Sequence, residues 1–258
     1  DLPIIQKSFF RNAVAMVFAA IIISKNHIWE IPRGKNIGYL LIRSVAGTLG
    51  ILCNFYAVSR INLADASMLN KLSPFFAVIF SFFVLKEKAD WKQLLAVITA
   101  FAGALFVMKP SFSFDAIPGI AGFAGGLAAG LAYAYVRKLT QNGFKGPLVI
   151  FYFSLFSCVV TSPWLIFDFT PMSANQWLYL ILAGLSAGGG QFFITAAYSK
   201  APAKEISVYD YSQIIFTTLL SLVVFGDLPD IWSFAGYIII ISAAVFNAVN
   251  SLRKSRSH

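Results

Sequence analysis

The chain has 258 residues, of which 58% are hydrophobic and only 12% charged, and its mean hydropathy is +0.74. A water-soluble domain of this length has no interior able to bury so much apolar surface. The net charge of +9 would suggest nucleic acid as a partner of a soluble chain, but these Lys and Arg residues sit between long apolar blocks. There they act first as topology signals, which leaves a polytopic α-helical membrane protein with the lipid bilayer, and no nucleic acid, among its partners.

Each apolar block approaches the roughly 20 residues a helix needs to cross the hydrocarbon. Backbone polar groups in lipid must pair within the segment, so the blocks are helices. In chain order they predict spans over 7–24, 37–59, 66–86, 91–109, 118–137, 147–167, 176–199, 206–226 and 231–251, nine in all. Short connections carry the breakers: Ile31-Pro32-Arg33-Gly34, Lys109-Pro110-Ser111, Asn142-Gly143, Thr170-Pro171, Ala201-Pro202 and Leu228-Pro229. Cys53 and Cys158 both fall inside spans, where a free thiol is a small packing residue.

Charge alternates from one connection to the next. Arg137, Lys138 and Lys145 give +3, Asp168 alone gives −1, Lys200, Lys204 and Glu205 give +1, Asp227 and Asp230 give −2, and Arg253, Lys254 and Arg256 in the tail give +3. Positive-inside logic puts the C-terminus in the cytoplasm and, nine spans back, the N-terminus outside. A start at Asp1 on the outer side suggests a missing upstream segment. The rival reading makes 7–24 a signal peptide or anchor with Lys7 and Arg11 inside; it breaks the alternation, and no small-residue cleavage site follows.

Displacing the sequence by 140 residues lays 36–110 over 176–250 without a gap. Tyr39-Leu40 meets Tyr179-Leu180, Gly50 meets Gly190, Ser59-Arg60 meets Ser199-Lys200, Asp65 meets Glu205, Ser67 meets Ser207, and Phe76 meets Phe216. Further along, Ser81 meets Ser221, Glu87 meets Asp227, Asp90 meets Asp230, and Phe106 meets Phe246. The span at 147–167 falls over 7–27, while the span at 118–137 has no partner in the chain. Each repeat is therefore five helices with the first helix of the first copy missing, and an odd number inverts the second copy in the membrane. The expected organisation is a first repeat at 1–110, a linker at 111–117, a second repeat at 118–252 and a basic tail at 253–258. Inverted repeats of this kind are characteristic of secondary transporters.

The stretch Asp65-Ala66-Ser67-Met68-Leu69-Asn70-Lys71-Leu72-Ser73-Pro74, with Glu87 past that helix and Gly103 in the next, resembles the drug/metabolite transporter superfamily, in particular its EamA branch of 5+5 helix proteins. The likeness covers nearly the whole chain. The second copy departs from it, with Ile214 in place of the proline, Asp227 for the glutamate and Gly236 as the nearest glycine.

Polar residues inside spans are costly and face a bundle interior or a cavity. Arg43, Gly47, Gly50 and Asn54 recur at steps of 4, 3 and 4 on one helix face, and Gly184, Gly188, Gln191, Thr195 and Tyr198 follow the same kind of spacing in the second copy. Asn70, Ser73, Ala77 and Ser81 form another stripe, whose mates are Asp210, Gln213, Thr217 and Ser221. These stripes are expected to line a cavity rather than only to pack helices, whereas Gly122, Gly126 and Gly130 form a helix-packing face, continued by Tyr133 and Arg137 toward the cytoplasmic border of the cavity. By the assigned topology Lys71 and Asp210 lie about 15 Å apart in depth at 1.5 Å per residue, which disfavours a direct salt bridge between them. Arg43 is placed better to meet Asp210. Arg11 and Lys71 are read as cavity groups or as snorkelling anchors. Asp210, flanked by Tyr209 and Tyr211, is the only acidic side chain placed within a span and is expected to couple a proton or to pair with a cation, while Tyr198, Tyr209 and Tyr211 with Asn54 and Gln191 are expected to border the cavity and stack or hydrogen-bond a solute.

His27 and His258 are the only histidines, and no metal-ligand cluster, paired carboxylates, nucleophile elbow or P-loop occurs. An integral-membrane enzyme is thus the least favoured reading, no metal or cofactor is expected, and a passive channel-like facilitator is the main rival. The expected function is a secondary active permease or exporter of small organic metabolites or drugs, working by alternating access in a bacterial plasma membrane. A coupling proton or a counter-substrate would be its second partner.

Overall fold

The computed structural model describes residues 2–88, 90–111, 116–226 and 228–256. Asp115 and Asp227, most of the expected linker and the side chains of the basic tail lie outside what it describes. Helix α1 spans Ile4–Lys25, α2 Lys35–Arg60, α3 Leu63–Asn70, α4 Ser73–Leu85, α5 Trp91–Met108 and α6 Ala116–Gln141. Then come α7 Gly146–Phe167, α8 Ala174–Lys200, α9 Ala203–Ile206, a 3₁₀ turn at Tyr209–Tyr211, α10 Ser212–Phe225 and α11 Ile231–Arg256. The chain is an all-α polytopic membrane protein. Among the described residues, eight segments are long and apolar enough to cross a membrane, with Leu63–Leu85 counted as one of them. The eighth expected span, 206–226, is not a continuous helix but three pieces.

Local chemistry sets many of the ends. Ser173 and Gln176 form a reciprocal capping box at the start of α8, with Ser173 N–H donating to Gln176 Oε1 at 2.8 Å and Gln176 N–H donating to Ser173 Oγ at 3.3 Å. Asn62 accepts Ala64 N–H at 2.9 Å to open α3. Gly226 ends α10 in the left-handed conformation, φ 74°, which glycine adopts without a Cβ penalty.

The two interruptions fall at matching places. Pro74 lacks the N–H that would pair with the carbonyl of Asn70, so the helix stops there and restarts at Ser73. At the position 140 residues on, residue 214 is isoleucine, and the chain still breaks, at Tyr209–Tyr211. Each break offers a carbonyl to the other: Tyr211 Oη donates to Lys71 O at 2.9 Å across 140 residues of sequence, and Lys71 Nζ donates to Asp210 O at 3.1 Å. Backbone groups freed inside a bilayer need such partners.

Helix α6 packs against α2 and α4, α1 against α7 and α8, and α5 against α11. Small residues allow the close crossings. A Cβ at Gly126 would lie 2.6 Å from Leu69 O, one at Gly122 would lie 2.7 Å from Leu69 Cδ1, and one at Gly236 would lie 2.6 Å from Gly103 O. By contrast Gly190, the mate of Gly50, has nothing within 4 Å, and Phe216, the mate of the Phe76 that packs at Gly130, is 64% exposed. The α8 and α10 face is thus open where α6 covers the corresponding face of α2 and α4.

Candidate functional site

A polar cavity of about 300 Å³ sits where the two broken helices meet. Helix α2 gives it Arg43, Gly47, Gly50 and Asn54, with Ile51 and Phe55 beside them. These four polar or small residues form the stripe anticipated from helical spacing. Arg11 of α1, Asn70 of α3, Tyr133 of α6, Phe153 of α7, Gln191 of α8 and Gln213 of α10 complete the polar and aromatic lining. A larger hollow of about 520 Å³ beside Trp164, Leu52 and Cys53 is mainly apolar, with Gln6, Tyr56 and Asp168 among its lining residues.

Side chains around the cavity are held by specific contacts. The Arg43 guanidinium lies over the Phe153 ring, 4.1 Å from its centroid, a cation–π contact strengthened by desolvation. Gly47 leaves the space for it: a Cβ there would lie 2.7 Å from the Phe153 ring and overlap the guanidinium. Gln191 Nε2 donates to Thr195 Oγ1 at 3.3 Å. Tyr133 stacks on Tyr198 with centroids 5.0 Å apart and an angle of 11°, and Tyr198 Oη donates to Asp210 Oδ2 at 3.2 Å. Lys71 Nζ also donates to Gln213 Oε1 at 2.6 Å.

Several expectations are corrected in detail. Arg43 lies on Phe153 instead of pairing with Asp210. Lys71 and Asp210 are closer than expected because α3 and α9 begin at Leu63 and Ala203, three residues before the expected 66 and 206. The two earlier starts together amount to six residues, or about 9 Å of the expected offset at 1.5 Å per residue. The lysine nevertheless reaches the backbone carbonyl of Asp210, and no ion pair joins the two side chains among the described residues. Tyr209 is 42% exposed and lies off the cavity. Ser73 is buried but does not line it, and Thr217 Oγ1 turns back to Gln213 O at 2.8 Å. Gly184 and Gly188 pack on Val14 and Ala15 of α1, and Arg137 pairs with Glu87 at 3.0 Å rather than bordering the cavity.

Arg11 is a lining residue whose position reads equally as cavity group or interfacial anchor. Its signal is register: it stands three residues after Ser8 and four before Ala15, both buried, so it shares the inward side of α1. Phe153, by contrast, carries no sequence signal in a span already rich in phenylalanine. Among the described residues no group of three or more metal-ligating side chains comes together.

A profile of the EamA-like transporter family matches residues 1–109 and 117–249. The pseudopaline exporter CntI of Pseudomonas aeruginosa is 30% identical over 246 residues, covering 95% of this chain and 86% of that one. An uncharacterized transporter of Helicobacter pylori is 26% identical, covering 96% of this chain and 87% of that one. The human solute carrier family 35 member G1 is 27% identical and covers 99% and 74%. A solved crystal structure shares the fold at a TM-score of 0.82 and 16% identity, over 96% of this chain and 89% of that one. With the family profile spanning nearly all of the chain, and relatives similar along almost its whole length, the chain belongs to the EamA-like transporter family, within the drug/metabolite transporter superfamily.

Proposed function

We propose that the protein is a secondary active transporter that exports small organic metabolites across the bacterial cytoplasmic membrane by alternating access. The observation that carries this reading is the cavity itself, which draws polar groups from α1, α2 and α3 on one side and from α6, α8 and α10 on the other. Such a site between two halves is where rocking of one half against the other exposes a solute first to one face, then to the other. The crossed breaks at Lys71 and Tyr211, 140 residues apart, support two repeats of opposite orientation, and the basic loops and tail support a cytoplasmic C-terminus. Export is the direction supplied by the pseudopaline exporter of Pseudomonas aeruginosa.

Asp210 is the coupling group in this reading. Its carboxylate is bonded to Tyr198, whose ring stacks on the cavity-lining Tyr133, so solute in the cavity and a proton on Asp210 act on one connected set of side chains. The test is flux in vesicles reconstituted with the full chain, using a panel of amino acids, vitamins and other small metabolites. Saturable flux with counterflow, driven by a pH gradient and uncoupled from it in Asp210→Asn, is expected. Non-saturating flux without counterflow would instead make the protein a channel, and an unchanged pH response in the variant would remove Asp210 from coupling.

A further inference from the structure

Arg43 is 2% exposed, and its Nε has no hydrogen-bond partner among the described residues; nor has the buried Nη1 of Arg11. Both side chains line the same cavity, and no acidic residue lines it with them. Three carboxylates elsewhere in the bundle have other partners: Asp210 takes the Tyr198 hydroxyl, Glu87 takes Arg137, and Asp65 takes Ser111 Oγ at 2.6 Å. Lys71, the third cation at this depth, already donates to two oxygens.

Two arginines in the interior of a membrane protein without a counter-ion are costly to keep. A guanidinium is planar, always charged, and presents N–H groups in a fork that matches a carboxylate. The amides of Asn54, Asn70 and Gln191 add donors nearby, while Phe153 and Phe55 supply an apolar wall. We propose that Arg11 and Arg43 form the recognition site for the carboxylate of an organic anion, the counter-ion being the transported solute. This deepens, and rests on, the reading of the cavity as the solute site.

Glutarate and its neutral diamide, glutaramide, are the probes, with inorganic phosphate as a third. Binding is read by isothermal calorimetry on the purified full chain in detergent, alongside melting temperature. Glutarate is expected to bind, and glutaramide and phosphate to bind far more weakly. Arg43→Gln and Arg11→Gln are each expected to weaken glutarate by about thirtyfold or more, as when one partner of a buried charge pair is cut away. Because each substitution removes an unpaired buried charge, the ligand-free variants should melt at the same temperature as the native chain or higher, which a packing role for the arginines would not give. Arg11→Lys, which keeps the charge but not the fork, is expected to bind glutarate more tightly than Arg11→Gln and less tightly than the native chain, and so separates loss of charge from loss of fold. Unchanged glutarate affinity in both glutamine variants, or glutaramide or phosphate binding as tightly as glutarate, would overturn the proposal. Since the readout is binding and not flux, its failure leaves the transporter reading standing, and absence of flux leaves the anion site standing.

Discussion

Tyr211 Oη donates to the carbonyl of Lys71 at 2.9 Å, and that single contact explains how a helix can stop halfway through a bilayer. Pro74 has withdrawn the donor to Asn70 O, and the next carbonyl, Lys71 O, takes its donor from the Tyr211 phenol. Tyr211→Phe leaves the carbonyl with no donor in an apolar setting and is expected to cost about 1–3 kcal/mol of stability. Tyr209→Phe, at an exposed position on the same turn, should cost far less. Melting temperatures of the two variants in one detergent check this, and equal losses would mean the hydroxyl contact is unimportant. Individual residues were unevenly legible in the sequence. Arg43, Gly47, Gly50 and Asn54 could be placed together because a helix repeats every 3.6 residues and a stripe of costly groups must face inward. Arg11 was ambiguous because a long cationic side chain near a helix start reads equally as a snorkelling anchor. Phe153 was invisible, since nothing in a phenylalanine's sequence position tells a cavity wall from a lipid-facing ring.

The helices themselves were legible from apolar length, with the departures concentrated at ends and breaks. Gly103 and Gly236 bring α5 and α11 so close that each glycine's Cβ would collide with the other's carbonyl. The break in the second copy could not be foreseen from a proline, because residue 214 is isoleucine; it is supported by Lys71, a residue from the other half. At the start of α11, Asp230 Oδ1 accepts from Ser233 N–H at 3.0 Å and from Ser233 Oγ at 2.9 Å, while Oδ2 pairs with Lys109 at the end of α5. The Lys109 ammonium and the Ser233 donors hold the Asp230 carboxyl down at about 2, against about 3.9 in an unfolded chain. A depressed carboxyl stabilises the fold above the unfolded value and loses that contribution as pH falls through the folded one. Asp230→Asn keeps a capping oxygen for Ser233 and removes the charge. The native chain should therefore melt slightly above this variant at pH 6, with the difference shrinking below pH 4 and gone near pH 2. A difference that stays constant across that range would assign the effect to capping alone.

Across the whole molecule, contacts between residues before and after the midpoint tie the structure at three depths. Gln6 exchanges two hydrogen bonds with Thr170, at 2.9 and 3.0 Å, and Lys109 pairs with Asp230 at one end. Lys71 and Tyr211 cross in the middle. At the opposite end Arg137 pairs with Glu87 and reaches the carbonyls of Tyr198 and Ser199 at 3.4 and 3.3 Å, while Lys204 Nζ donates to Lys88 O at 2.9 Å. An alternating-access cycle that pivots on the middle contacts must release one end at a time. Arg137–Glu87 is the better shielded of the two end ion pairs, with side chains 12% and 16% exposed, against 46% for both Lys109 and Asp230. Glu87→Ala leaves the Arg137 guanidinium partly buried without its carboxylate, for which a loss of about 2 kcal/mol is expected, less than a fully buried pair would cost. The effect should be local if the middle contacts are the pivot. Hydrogen exchange is then expected to quicken at the end of α8 and across 201–206, and to stay unchanged at the start of α11. Uniformly faster exchange would mean that the pair holds the bundle as a whole, and unchanged exchange at 196–206 would mean that it ties nothing; a local response would identify the end that opens first.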